Sequence, residues 1–373
     1  MRVLLLGGGL QALSCGCSLY EKHEVSLVAS DFMCRKSRFF KKVYPTDNVS
    51  GEGLYALLEQ HLFDVIIPVS DKTVPFISRN KDYIEGRFGA KCAVPDYRLV
   101  HEVEDKSRFM SFCESNGISH PRTGRLTADN LKEVSDRIGF PALIKPDYSV
   151  GARGITRVDS YDELQTKYGG VVERFGTCTL QELIDNKEYY YNVMLYRDAN
   201  GFFPAYTILK IVRMFPVTAG SSTCCITVEN DELLTKCKEC LDRMEWVGMA
   251  DFDVLQRLDD KSYKIIEINP RVPASLRAAA VSGINFPELI VRDAQGEEVP
   301  EYTYTPGKIL RYLGTDLLWM IKSPNRFQSQ PNWFSFFGKG VYYQDIYGND
   351  PSTWWTWLIE GILKIKKRNK RVR

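Results

Sequence analysis

The sequence has few of the features that mark membrane, nucleic-acid or signal-bearing proteins. Its 373 residues contain no apolar run of about 18 residues, so no segment predicts a membrane span. A net charge of +2 disfavours nucleic-acid binding by the protein as a whole. The apolar start, Met1 to Leu6, meets glycines at once and lacks the length and cleavage context of a signal peptide. We therefore expect a globular, cytoplasmic protein.

The sequence also lacks the patterns of a zinc or disulfide framework. Cys237 and Cys240 form a C-x-x-C among ten cysteines, but they lie in an amphipathic helical pattern and no second pair has zinc spacing. The four histidines lie outside the motifs described below. Free thiols in a reducing environment are the expectation.

Of two common glycine-rich nucleotide-binding motifs, one is incomplete in this sequence and the other is absent. Gly7 to Gly9 follow the apolar run Val3 to Leu6, but Ala12 stands at the last position of a G-x-G-x-x-G fingerprint. A Gly-Lys-Ser/Thr that opens a helix is absent, which excludes a P-loop. The first hundred residues still alternate strand and helix patterns, which predicts a parallel, doubly wound sheet. We favour a Rossmann-like lobe that binds a small substrate, or acts as scaffold, over an NAD site. Its candidate substrate contacts at a strand end are Ser70, Asp71 and Lys72.

The stretch from Asp251 to Arg271 carries the chemistry most directly. Its two apolar alternating runs flank turn residues, which predicts a β-hairpin with Asp253 and Glu267 on adjacent strands. Asn269 falls on the face of Glu267 by the period of two, and Arg271 continues that alternation. Carboxylate and amide oxygens suit Mg²⁺ on nucleotide phosphates, and an arginine fork suits a phosphate or carboxylate. The alternative is an exposed hairpin whose acids are merely solvated.

A second pattern predicts a phosphate-binding flap. The short buried strand Pro141 to Pro146 carries Lys145, and the loop Ser149 to Ile155 contains two glycines. Glycines give the loop freedom and donate backbone N–H groups to phosphate oxygens, while the lysine neutralises charge. The alternative is an ordinary hairpin loop with a surface lysine. The apolar strand that follows, near Ile184, suits a purine held by backbone hydrogen bonds, with Glu188 accepting from ribose hydroxyls.

Two further arginines are candidates for anion binding. Arg213 lies on the strand Leu209 to Met214, where it serves either as an anion clamp or as a cationic strand edge that opposes aggregation. Arg277 stands at the start of a predicted helix and is a candidate for gripping a carboxylate substrate.

These motifs, taken in order, resemble the ATP-grasp superfamily. The order is Lys106, then Lys145 with the S-V-G-A-R-G-I loop, then Q-E-L-I…E, then D-x-V…E-I-N-P-R. The resemblance is to the carbamoyl-phosphate-synthase-like and carboxylate–amine ligase branches and covers about residues 1 to 295. It implies a fold that is α/β and α+β: a Rossmann-like N-terminal, pre-ATP-grasp lobe (1–100) and a two-subdomain ATP-grasp fold (101–295). The small flap subdomain would span about 120–185, with a C-terminal extension over 296–373.

The resemblance also implies roles for particular residues. Nucleotide contacts would come from Lys106 and Lys145 on the phosphates, Ser149, Gly151 and Gly154 in the flap, Glu182, Leu183 and Ile184 at the adenine edge, and Glu188 on the ribose. Two Mg²⁺ ions, with Mn²⁺ as a substitute, would be held by Asp253, Glu267 and Asn269. Many relatives carry Glu or Gln where this chain has Asp253, so Asp251 is the fallback ligand. Arg271 would meet the γ-phosphate or an acyl phosphate.

The function that this resemblance implies is an ATP- and Mg²⁺-dependent carboxylate–amine ligase. ATP would phosphorylate a small carboxylate, and an amine would displace phosphate from the acyl phosphate. The alternative is a non-catalytic, nucleotide-binding module attached to a membrane. An NAD-dependent oxidoreductase would need the intact glycine fingerprint.

The last residues, 352–373, combine tryptophans with a polybasic end. This pattern suits peripheral contact with an anionic membrane at its inner face, or a packed helix with a solvated basic tail. Nucleic acid is not an expected partner of so short a tail. A homodimer is a further expectation.

Overall fold

The computed structural model describes residues 1–44, 50–149, 153–186, 190–217, 220–356 and 359. Within these ranges the chain forms three sheets that follow one another along the sequence. The mixed α/β and α+β fold class predicted above is confirmed.

The N-terminal lobe is a parallel sheet with strand order β3-β2-β1-β4-β5. Its strands are β1 (Arg2–Leu6), β2 (Glu24–Val28), β3 (Lys42–Tyr44), β4 (Val65–Pro68) and β5 (Lys91–Cys92). The strand interiors are apolar and buried because helices cover both faces of a parallel sheet. Those helices are α1 (Gly9–Leu19), α2 (Phe32–Lys36), α3 (Glu52–Gln60), α4 (Thr73–Arg79), α5 (Lys81–Phe88) and α6 (Tyr97–Glu104).

A helix and a small antiparallel sheet follow. Asp105 caps α7 (Lys106–Ser115) by accepting a hydrogen bond from the Arg108 backbone N–H. The sheet has the order β6-β9-β7-β8, and two helices pack against it. Its elements are β6 (Thr123–Leu126), α8 (Leu131–Ile138), β7 (Ala142–Pro146), β8 (Thr156–Val158), α9 (Tyr161–Phe175) and β9 (Cys178–Glu182). The antiparallel pairing of β7 with β8 places the predicted flap loop between them.

The third sheet is the largest, with strand order β14-β13-β10-β11-β12-β15-β16. Its first elements are β10 (Tyr190–Arg197), β11 (Ala205–Phe215), β12 (Ser221–Val228), α10 (Asp231–Met244), β13 (Gly248–Gln256) and β14 (Tyr263–Asn269). One face packs on α7 and α10, and the other packs on the N-terminal lobe and on α11 (Arg277–Ser282) and α12 (Phe286–Ala294). Cys237 and Cys240 are buried in α10, as the amphipathic pattern predicted.

The predicted C-terminal extension adds strands to the edge of this third sheet. These are β15 (Ile309–Arg311) and β16 (Val341–Tyr343), with α13 (Leu313–Lys322) between them. Further on, Tyr347 bonds Ser14 of the N-terminal lobe at 2.9 Å between hydroxyl oxygens. Beyond Thr356 the structure describes only residue 359, so most of the predicted basic helix lies outside the described residues. In the part of the chain that is described, no helix is long and apolar enough to cross a membrane.

Candidate active site

The strands β13 and β14 pair around the predicted turn, and their register confirms the predicted hairpin. Asp253 lies opposite Glu267, and Asp251 lies opposite Asn269. Because side chains alternate along a strand, these four polar side chains share one face of the sheet. A bulge follows Asp253, and bulges locally increase twist and re-aim side chains.

Asp251 is the most deeply buried acid of this face. Its side chain is 2% exposed, and its Oδ1 has no hydrogen-bond partner among the described residues. Burial, together with the nearby Asp253 charge, raises the pKa of Asp251 well above its ordinary value. A buried carboxylate oxygen without a partner is costly unless a cation or proton satisfies it. Asp251 therefore belongs to the candidate metal site, where the sequence had placed it only as a fallback.

Asp253 and Glu267 form the outer part of the same site. Asp253 accepts hydrogen bonds from the Tyr190 hydroxyl at 2.7 Å and the Asn192 amide at 3.3 Å. Burial first, and the Glu267 charge second, raise the pKa of Asp253 to about 6. The carboxylates thus repel one another across this face.

The donor set fits a hard divalent cation brought by a ligand. Oxygen atoms of three carboxylates and one amide are available on this face, and Mg²⁺ prefers such ligands. Among the described residues, no group of three or more His, Cys, Asp or Glu side chains is close enough to hold a metal ion by itself. Mg²⁺ typically keeps waters and takes ligands from substrate phosphates, so an incomplete protein cage is the expected geometry.

Two lysines from different elements face these carboxylates. Lys106, the first residue of α7, donates to the Ser149 carbonyl at 2.9 Å and lies 3.8 Å from a Glu267 carboxylate oxygen. Lys145 of β7 is buried and donates to the Gln181 side-chain oxygen at 2.5 Å. Burial lowers the pKa of Lys145 to about 8, with the Lys106 charge adding to the effect and Glu267 opposing it. The structure thus brings Lys106 and Lys145 together with Glu267.

The flap loop is described only at its two ends. Ser149 lies at the first end, where its carbonyl accepts from Lys106. Gly154 lies at the second end with a φ of +77°, and a Cβ there would come 2.8 Å from the Pro146 ring. Both the dihedral and the close approach favour glycine. Gly151 lies outside the described residues.

The strand end predicted to hold adenine is described from Glu182 to Ile184. The carboxylate of Glu182 accepts from the Arg122 backbone N–H and Nε, each at 2.9 Å, and lies 3.6 Å from Arg257. The Leu183 backbone N–H donates to the Pro141 carbonyl at 3.2 Å, and Ile184 is 6% exposed. The Glu182 side chain is therefore engaged by arginines, and Glu188 lies outside the described residues.

Arg271 links the N-terminal lobe to the polar face of β13 and β14. Its Nε donates to Asp71 at 2.6 Å, and its Nη2 donates to the Asn269 side-chain oxygen at 3.1 Å. The structure thus brings Asp71, which was predicted to contact substrate, together with Arg271, which was predicted to contact a phosphate.

Arg277 and Arg213 lie in positions that differ from their predicted roles. Arg277 donates to the carbonyls of Tyr343 and Ile346, and its guanidinium lies 3.6 Å from the centre of the Tyr347 ring. The buried Arg213 donates to both carboxylate oxygens of Asp316, at 2.7 and 3.0 Å. Protein acceptors from the C-terminal residues occupy both guanidinium groups, so we assign them structural roles instead of substrate contacts.

Sequence reasoning missed three polar residues that support the site. Tyr190 and Asn192 hold Asp253, and Gln181 holds Lys145. Tyr190 and Asn192 are two residues apart on β10, which pairs with β13. The available signal was that polar residues alternate along the otherwise apolar strand β10. Only the strand order shows that these residues lie beside Asp253 of β13.

Comparison with known proteins gives matches in sequence and in structure. A family model described as "ATP-grasp in the biosynthetic pathway with Ter operon" matches residues 207–313, which include β13 and β14. The carbamoyl phosphate synthase large chain of Agathobacter rectalis is 26% identical over 234 residues, covering 59% of this chain and 21% of that protein. The corresponding protein of Deinococcus deserti is 29% identical over 181 residues, covering 46% and 17%. The chain thus spans about a fifth of the length of these relatives.

Solved structures match over a larger part of the chain. The biotin carboxylase domain of Hydrogenobacter thermophilus 2-oxoglutarate carboxylase, a dimer in complex with MgADP, ADP and bicarbonate, superimposes with a TM-score of 0.68 at 15% identity. That match covers 83% of this chain and 73% of the other. N5-carboxyaminoimidazole synthetase of Staphylococcus aureus complexed with ADP gives 0.69 at 14% identity, covering 88% and 86%. The chain thus has the fold of these structures, and residues 207–313, which carry the β13–β14 face, are similar to the ATP-grasp family model.

Proposed function

We propose that this protein is an ATP- and Mg²⁺-dependent ligase that activates a carboxylate as an acyl phosphate for attack by an amine. The observation that carries the proposal is the position of Lys106, 3.8 Å from Glu267 on a face that also holds the Asp251 oxygen to which no described residue donates. Such a face needs cations, and a triphosphate with its metal ions supplies charge of both signs.

The residues proposed to hold the metal are Asp253, Glu267 and Asn269, with Asp251 beside them. We propose two Mg²⁺ ions, with Mn²⁺ able to replace them. When bound, these ions would offset phosphate charge during phosphoryl transfer. Tyr190 and Asn192 keep the Asp253 carboxylate in place by donating to its Oδ1.

The cationic side chains would orient the phosphates. Lys106 and Lys145 approach from two different elements, and both would neutralise charge on a bound phosphate chain. The loop from Ser149 to Gly154 would close over the phosphates and exclude water, which would otherwise hydrolyse an acyl phosphate. Arg271, whose Nε donates to Asp71, would orient the reacting carboxylate or phosphate.

A screen of ADP release with pairs of small carboxylates and amines tests the proposal. We expect release that requires both a carboxylate and an amine, and loss of release in Glu267→Gln. The exposed acid Glu239, on α10, offers a matched control, since Glu239→Gln leaves the site untouched. ATP binding without turnover by any pair would instead support a non-catalytic nucleotide-binding module.

We also propose peripheral contact with an anionic membrane through residues 352–373, supported by exposed apolar side chains earlier in the C-terminal part of the chain. Five of the exposed large apolar side chains fall between residues 317 and 337, namely Leu317, Ile321, Phe327, Phe334 and Phe337. That stretch and its continuation to residue 344 contain three basic residues and no acid. Apolar side chains among basic ones favour an anionic lipid surface.

Sedimentation of the full chain with vesicles tests the membrane contact. We expect binding to vesicles that contain phosphatidylglycerol, and little binding to phosphatidylcholine vesicles. The double variant Phe334→Ser, Phe337→Ser should reduce the binding, whereas Phe202→Ser, an exposed phenylalanine on another loop, should not. Equal binding to both kinds of vesicle, or to neither, would refute the contact.

For assembly we propose a homodimer, which light scattering would test.

A further inference from the structure

A cavity of about 260 Å³ lies between the N-terminal lobe and the third sheet. The end of β4, together with β5 and the residues that follow it, lines one side, and the ends of β10, β13 and β14 together with α12 line the other. The lining residues that matter here are Pro68, Val94, Tyr196, Met249, Arg271 and Asp293.

The cavity lies on the same sheet face as the candidate metal site. Met249 precedes Asp251 and Asp253 at the period of two, and it pairs with Tyr196 of β10. Each such step along a strand is about 7 Å. Arg271, two residues beyond Asn269, joins the two regions, because it lines the cavity and donates to the Asn269 side chain.

The charges in the cavity wall leave one acid without a basic partner. The cations are matched: Lys81 lies 3.6 Å from Asp96, Lys91 lies 3.3 Å from Glu85, and Arg271 lies 2.6 Å from Asp71. Asp293 instead accepts a hydrogen bond from the Tyr196 hydroxyl at 2.6 Å, and no ion pair joins it to a described residue.

Tyr196 orients that acid through this hydrogen bond. The tyrosine is 4% exposed, and burial together with the Asp293 charge raises the pKa of its hydroxyl. The hydroxyl therefore stays protonated and donates to the carboxylate. The apolar wall around the pair, which includes Val94 and Met249, lowers the local dielectric and strengthens attraction for a cation.

We propose that this cavity binds the amine substrate of the ligase as its ammonium ion, with Asp293 as the counter-ion. The inference rests on the proposed function and adds the place and the chemistry of amine recognition. The cavity volume of about 260 Å³ has room for a small primary amine. A carboxylate ligand would face the charge of Asp293, whereas the cations of the wall already have partners.

The reaction then balances as follows. Asp293 takes one proton from the ammonium group, and the neutral amine attacks the acyl carbon. The C–N bond forms while the C–O bond to the phosphoryl group breaks, and phosphate leaves with that electron pair. The second proton lost from nitrogen goes to the departing phosphate, so an acyl phosphate and an ammonium ion give an amide, hydrogen phosphate and one proton.

Saturation-transfer NMR on the full chain tests the site, with methylammonium chloride as the probe and sodium acetate as the probe of opposite charge. We expect transfer to methylammonium only, and at least a tenfold loss of its affinity in Asp293→Asn. Glu297→Gln, which removes an exposed acid four residues away, should bind methylammonium as the unaltered chain does. Met249→Trp fills the cavity without changing its charge and should abolish the signal. Unchanged binding in both Asp293→Asn and Met249→Trp, or preferential binding of acetate, would overturn the proposal.

The same variants separate this inference from the proposed function. If methylammonium binds in a manner that depends on Asp293 but no carboxylate and amine pair drives ADP release, the ligase proposal fails and the cation site stands. If ADP release requires an amine but Asp293→Asn leaves the KM for the amine unchanged, the ligase proposal stands and the amine site fails.

Discussion

Replacing Asp316 with asparagine would remove the charge that neutralises two buried arginines. The Asp316 carboxylate accepts from Arg213 at 2.7 and 3.0 Å and from Arg311 at 2.9 and 2.7 Å. The Thr223 hydroxyl lies 3.2 Å away and donates as well. All three charged side chains are at most 1% exposed. The NH₂ group of an asparagine would face the N–H groups of the guanidiniums, so donors would meet donors. The charges of Arg213 and Arg311 would then have no neutralising carboxylate at this position.

The expected cost follows from this geometry. Breaking a buried ion pair typically costs about 3–5 kcal/mol, and one carboxylate serves two arginines here, so we expect about 4–5 kcal/mol. With about 2 °C per kcal/mol for a large domain, the midpoint of thermal unfolding should fall by about 8–10 °C. Circular dichroism with temperature, and urea titration at 25 °C, measure both quantities.

Two further variants separate charge from shape. Asp136→Asn removes a charge from an ion pair whose partners are 66% and 61% exposed, and no measurable change in the unfolding midpoint is expected. The triple variant Arg213→Met, Arg311→Met, Asp316→Leu removes all three charges and should recover most of the lost stability. An Asp316→Asn midpoint within about 1–2 °C of the original would refute a structural role for Arg213 and favour its predicted role as an anion clamp.

Two other predictions concern nucleotide binding. Because burial lowers the pKa of Lys145 to about 8, the side chain is charged below that pH and neutral above it. The affinity for MgATP, measured by calorimetry, should therefore fall as the pH rises from 7.5 to about 9.5. Lys145→Arg should remove this dependence, and a pH profile that is the same in the variant and the unaltered chain would contradict the prediction. Removing divalent cations with EDTA, or making the Glu267→Gln change, should each weaken ATP binding at least tenfold. ATP that binds equally tightly with EDTA would argue against metal-assisted binding.

Local patterns were enough to predict the parts of the fold that carry the candidate site. The β13–β14 hairpin, with Asp253 opposite Glu267, follows from two alternating runs and a short turn, since a turn sets the register of its own strands. The strand that carries Lys145 follows from a short apolar run. The parallel N-terminal sheet follows from the alternation of strands and helices.

Contacts between distant residues were not predictable in this way. Arg213 and Asp316 are 103 residues apart, and Arg277 meets carbonyls more than 60 residues away. The helix α13, which carries Asp316, lies in a stretch whose mixed apolar and charged pattern did not predict a helix. The sequence around an arginine does not show whether a distant helix or strand will supply an acceptor for it.

The sequence by itself determined which oxygen and nitrogen groups share a strand face, because alternation and turn length act over a few residues. Only the tertiary structure decided which charges are already neutralised. It buries Arg213 against Asp316, leaves an Asp251 oxygen with no hydrogen-bond partner in the described part of the chain, and sets Asp293 in a cavity beside Arg271. The physical reason is that the energy of a charge depends on burial and on its nearest counter-charge, and both are properties of the packed chain.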